Sequence, residues 1–87
     1  MYKRQDSNRL TIIVDDRAVY RDQEAYVNLD ISSCGIPEDV HALQWMTDSG
    51  WIEYRDTRLN LDITQLPDWA VACIAVWEEK YTAEHGA

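Results

Sequence analysis

The chain has 87 residues, sixteen acidic and eight basic, for a net charge of −8. A chain this short forms one domain and buries only about 60–65% of its unfolded surface on folding, so self-association is the usual source of added stability. The acidic balance argues against a nucleic-acid groove or an anionic-membrane surface, since both need clustered Lys and Arg. The longest apolar run, eight residues from Ala70 to Trp77, is too short for a bilayer span, and no apolar N-terminal stretch reads as a secretion signal.

Met1 to Gln5 reads M-Y-K-R-Q and resembles a translated library adaptor, as in a gene assembled from metagenomic reads. Residues 1–8 are expected to lie outside the fold, and residues 9–87 to form the single domain. Arg9 to Val14 is rich in β-branched residues; with Asp15-Asp16 as turn chemistry and Ala18 to Tyr20 following, it predicts a first hairpin. Ala25 to Ile31 alternates, which predicts a strand with Ala25, Val27, Leu29 and Ile31 inward and Tyr26, Asn28 and Asp30 outward. Gly35 and Pro37 make Ser32 to Asp39 a loop.

Val40 to Met46 reads as a strand with mixed faces, which predicts a central position in the sheet. Thr47-Asp48-Ser49-Gly50 is expected to turn the chain, Gly50 supplying a positive φ, with Trp51 to Arg55 returning as the partner strand. Trp45, Trp51 and Tyr54 would then pair across this hairpin. A short strand is expected around Leu59 to Ile63. From Thr64, read as a cap, the apolar spacing becomes three and four residues and predicts a helix ending before Gly86. The fold class expected is therefore α+β: a small antiparallel β-sheet of about four or five strands built from hairpins, followed by one C-terminal α-helix. The first half of the helix is apolar all around, which predicts an oligomer interface at Trp69, Val71, Ile74 and Trp77.

No nucleophile motif surrounds Ser32, Ser33 or Cys34, no glycine loop suits a phosphate, and two His with two Cys give no paired zinc spacing. No catalytic residue, metal or cofactor is expected. His41, beside Glu38 and Asp39, is the only histidine inside the predicted fold and reads first as structural. Cys34 and Cys73 lie 39 positions apart and read as free thiols in a reducing cytosol. Arginine forks match phosphate and aromatic faces match bases, so Trp45, Trp51, Tyr54, Arg55 and Arg58, with Arg17, Arg21 and His41, form a candidate ligand set for a nucleotide-like anion. The competing reading places the aromatics in the core and pairs the arginines with acids such as Asp56.

The stretch I-P-E-D-V-H-A-L-Q-W-M followed by G-W-I-E-Y, from Ile36 to Tyr54, resembles the signature of a family of small uncharacterised proteins encoded in tailed-bacteriophage genomes, often near tail genes. The likeness extends weakly to Leu66, Trp69 and Trp77 and carries over no catalytic or binding residue. It implies a phage protein acting in the host cytoplasm. Its leading expected function is an accessory protein that antagonises host antiviral immunity, sequestering a cyclic nucleotide or ADP-ribose-type second messenger as a homo-oligomeric sponge. The alternatives are a tail or tail-assembly component and an acidic inhibitor of a defence protein.

Overall fold

The computed structural model describes residues 9–21 and 24–85. Six strands and one helix follow in chain order: β1 (Arg9–Ile13), β2 (Ala18–Arg21), β3 (Ala25–Tyr26), β4 (Val40–Met46), β5 (Ser49–Tyr54), β6 (Leu61–Ile63) and α1 (Asp68–His85). The strands form one antiparallel sheet in the order β3-β2-β1-β4-β5-β6. This is the expected α+β architecture, with six strands where four or five were expected. Two three-stranded meanders meet along β1 and β4, which makes β4 central, as its mixed faces predict. The expectation for residues 1–8 falls outside the described residues.

One cross-strand row dominates the core face: Tyr26, Val19, Ile12, Leu43 and Ile52 lie opposite one another on five successive strands. All five are buried, and Ala70, Cys73 and Trp77 of α1 join the same cluster. The other face is polar at its centre, where the Thr11 hydroxyl and the Gln44 side-chain oxygen lie 2.8 Å apart and the Trp51 indole donates to Glu53 at 2.9 Å. That division follows from the period-two pattern of the strands.

Three local expectations are corrected. The strand predicted over Ala25 to Ile31 stops after Tyr26, because Asn28 adopts a left-handed conformation at φ 60°. That residue reverses the alternation: Tyr26 is buried and Val27 exposed, while Leu29 and Ile31 remain inside. Asn tolerates this geometry better than most residues. The amides of Asn28 and Leu29 bond to the Asp16 and Arg17 carbonyls, which docks the connection on the β1–β2 turn.

The helix starts at Asp68 rather than at a Thr64 cap. Pro67 disfavours helical backbone at Leu66, and the Pro67 carbonyl accepts from the Ala70 and Val71 amides at 3.0 and 3.2 Å. The β4–β5 turn is only Thr47-Asp48, with Met46 opposite Ser49 and Trp45 opposite Gly50. Thr47 carries the positive φ, 58°, and Gly50 has a different purpose. A Cβ at Gly50 would collide with the Gln44 carbonyl oxygen and lie 2.8 Å from the Trp45 Cα. Close approach of two backbones therefore requires this glycine.

Candidate ligand-binding site

The register separates the residues that the sequence groups together. Trp45 and Trp51 point to opposite faces, since Trp45 is opposite Gly50 and Leu10 while Trp51 is opposite Gln44 and Asp62. His41 and Trp45 are four positions apart on β4, roughly 13 Å along a strand. Trp45 is 8% exposed and belongs to the core. The expected single pocket is thus divided between the two ends of the sheet.

At the turn end, Tyr54, Arg55, Arg58 and His41 come together, but with carboxylates already in place. Arg55 bonds to Asp15 at 2.6 Å and to the Glu38 carbonyl at 2.9 Å. Arg58 lies 4.2 Å from the centroid of the Tyr54 ring and bonds to Asp39 at 2.7 Å and Asp56 at 2.9 Å. These bonds, to Asp56 first and Asp39 second, raise the Arg58 pKa further above its ordinary value. In return Arg58 holds the Asp56 carboxyl below the usual carboxylate range. Stability from that pairing is present above the unfolded carboxylate pKa and is lost as pH falls through the lowered native value. His41 faces Asp15 at 3.7 Å, rather than Glu38 or Asp39. Arg17, on the β1–β2 turn, bonds to Asn28 at 3.2 Å. This end is an exposed network of paired charges, as the competing reading of the arginines holds.

At the other end, Arg21 closes β2 opposite Leu10. Its guanidinium sits 4.9 Å from the Trp77 ring centroid. Trp77 stacks on Tyr81 at 4.9 Å with planes 10° apart, and Tyr81 stacks on His85 at 4.1 Å. The spacing of these three residues at four-residue intervals on α1 puts them on one side of the helix. Trp77 is 3% exposed and donates its indole N–H to the Glu24 carbonyl at 3.1 Å, so it belongs to the core and not to an outer interface. Tyr26 packs against it at 5.8 Å. Burial, followed by the Glu24 and Glu84 carboxylates, raises the Tyr26 pKa.

Arg21, Trp77, Glu78, Tyr81 and Thr82 line a groove of about 360 Å³. A second groove of about 450 Å³, lined by Ala75, Val76, Glu78, Glu79 and Thr82, adjoins it. Arg21 also borders a third groove, with Leu10, Trp45, Thr47, Leu66 and Ile74. Its carboxylate partner is Glu78 at 3.3 Å, and the side chains differ in exposure, 22% for Arg21 and 62% for Glu78. The arginine is held over the indole, whereas the glutamate is free to turn into solvent.

Comparisons of the chain with protein-family models, with curated proteins and with solved structures find no match. Among the described residues no group of three possible metal ligands occurs, and no helix is long and apolar enough to cross a membrane.

Of the residues expected at an oligomer interface, Val71 is 53% exposed, Trp69 and Ile74 are half-buried against the core, and Trp77 is inside it. Val71 is therefore the position that probes association without damaging the monomer. On the expectation that the chain self-associates through this face, Val71→Glu should reduce the mass measured by size-exclusion light scattering to that of one chain. A wild-type protein already monomeric at micromolar concentration would contradict the interface. Sequence reasoning missed the Arg21 groove because Trp77 and Tyr81 read as helix stripe; only the sheet register brings Arg21 over them.

Proposed function

We propose that the protein is a non-catalytic, phage-encoded accessory protein that sequesters a nucleotide-derived signalling molecule of the host's antiviral immunity, and that it works as a homo-oligomer in the host cytoplasm. The observation that carries this reading is the Arg21–Trp77–Tyr81 groove. A fixed guanidinium offers a forked contact to phosphate, and the aromatic stack beside it offers a face for a base. His85 is the outermost layer of that stack at the helix end, where its ring nitrogen meets the Glu24 carboxylate at 3.0 Å; a base takes its place on Tyr81 by displacing that contact. The incoming phosphate takes the place of Glu78 on Arg21.

The two adjoining grooves share Glu78 and Thr82 along one side of α1. They are open on a single chain, and a neighbouring copy laid along the helix would enclose them, as a ligand site requires. The paired arginines Arg55 and Arg58 make the turn end the weaker candidate, because a phosphate there must displace several carboxylates at once.

Sequestration differs from degradation in one readout. Incubation with a cyclic dinucleotide, a cyclic trinucleotide or a cyclic ADP-ribose isomer, followed by heat denaturation, should return the bound ligand chemically intact. Recovery of a cleaved product would overturn the sponge reading.

A further inference from the structure

The grooves around Arg21 differ in charge. The Trp77 groove contains Glu78. Arg21 also lines a groove of about 240 Å³ with Arg9, Thr11 and Tyr20, and no carboxylate among the described residues borders it. Two arginines without an acid stand out on a chain of net charge −8, where Arg55 and Arg58 at the turn end are both paired with carboxylates.

The sheet register brings these residues together. Arg21 lies opposite Leu10, the residue after Arg9, so the two arginines mark the same end of the β1–β2 pair. Thr11 lies opposite Tyr20, one position further in. The Thr11 hydroxyl is engaged with the Gln44 side-chain oxygen at 2.8 Å, which leaves the two guanidiniums and the Tyr20 phenol as the donors that line the groove. Tyr20 is 40% exposed and open to a ligand.

We propose that Arg9 and Arg21 form a two-arginine subsite for a diphosphate group, so that the ligand is a nucleoside diphosphate or a conjugate of one, such as ADP-ribose. This rests on the nucleotide reading of the Arg21–Trp77–Tyr81 groove and narrows its ligand. Each guanidinium presents a fork of donors that matches one phosphoryl group. Two adjacent phosphoryl groups engage both forks, whereas a lone phosphate engages one. The first phosphate takes the place of Glu78 on Arg21, and the second meets Arg9 in the groove that no described carboxylate borders. Arg21 stands at the junction of the two grooves, so the diphosphate lies on one side of it and the base on the other.

The test is calorimetric titration of the full chain at constant ionic strength with inorganic phosphate, inorganic pyrophosphate and ADP. Pyrophosphate is expected to bind roughly tenfold or more tightly than phosphate, the worth of an added charge-assisted contact. Arg9→Ala should remove that preference, and because Arg9 is exposed the variant should melt as the wild type does. Arg58→Ala, which removes the same charge elsewhere, should retain the preference. Absent pyrophosphate binding, equal affinities for the two anions, or a preference that survives Arg9→Ala would overturn the proposal, as would an equal loss in Arg58→Ala. ADP probes the aromatic stack separately. If ADP binds no more tightly than pyrophosphate while the Arg9-dependent preference holds, the diphosphate subsite stands and the nucleotide reading fails.

Discussion

Trp77→Ala is expected to lower the stability of the protein by about 4 kcal/mol, within the range for removing a buried aromatic side chain. The indole is enclosed by Tyr26, Tyr81 and Arg21, and its N–H is the donor to the Glu24 carbonyl next to β3. Removing it opens a cavity at the junction of sheet and helix and leaves that carbonyl with the Arg21 amide alone as its donor. Since domains of this size have only about 5–15 kcal/mol of net stability, such a loss takes a large share. Urea unfolding should show a midpoint shifted far down with the slope preserved. Trp77→Phe retains most of the burial and the stacking but not the hydrogen bond, so it should cost only about 1–2 kcal/mol. Equal losses for the two variants would mean that packing around the indole contributes little.

Gly50→Val should be at least as damaging, at roughly 3 kcal/mol or more. The atoms that meet a new Cβ at Gly50 are main-chain atoms of Gln44 and Trp45 on the paired strand, and no side chain can turn aside to accept it. The β4–β5 ladder would have to part at the position that seats Trp45 in the core. Gly35→Ala provides the contrast: there is space around it, and only the positive φ of 85° opposes a side chain, which costs about 1 kcal/mol. Melting temperatures of the two variants should differ accordingly, and a Gly50 variant as stable as wild type would contradict the observed pairing.

The strands with a clean hydrophobic period were legible in the sequence. β1, β2, β4, β5 and β6 fall where β-branched and alternating residues place them, and the change to helical spacing marks α1. What was hidden depends on single backbone choices. The left-handed Asn28 reverses a parity that Ala25 to Ile31 displays without interruption, and Pro67 overrides a plausible cap at Thr64. The two-residue turn at Thr47-Asp48 sets Trp45 opposite Gly50 and Trp51 opposite Gln44, so the two tryptophans lie on opposite faces and the aromatic pairing expected across that hairpin does not form.

The candidate site was less legible for the same reason. Arg55 and Arg58 lie close to Trp51 in sequence, so proximity along the chain grouped them. Asp15, contributed by a different hairpin, supplies the carboxylate that neutralises Arg55. Arg21 and Trp77 are 56 positions apart and meet only because β2 lies beside α1. Pairings at such sequence separation have no local signature.

The central claim is a nucleotide-type ligand held by Arg21 over the helix aromatics, and thermal shift tests it most directly, because a ligand bound only to the folded state raises the melting temperature by mass action. Wild-type protein, Arg21→Ala and Arg58→Ala should be melted against cyclic dinucleotides, cyclic trinucleotides and cyclic ADP-ribose isomers. The account predicts a rise of several degrees with at least one of these ligands, lost in Arg21→Ala and retained in Arg58→Ala. No rise with any of them would contradict it and point to a protein partner, with tail assembly first; a rise lost only in Arg58→Ala would place the ligand at the turn end instead.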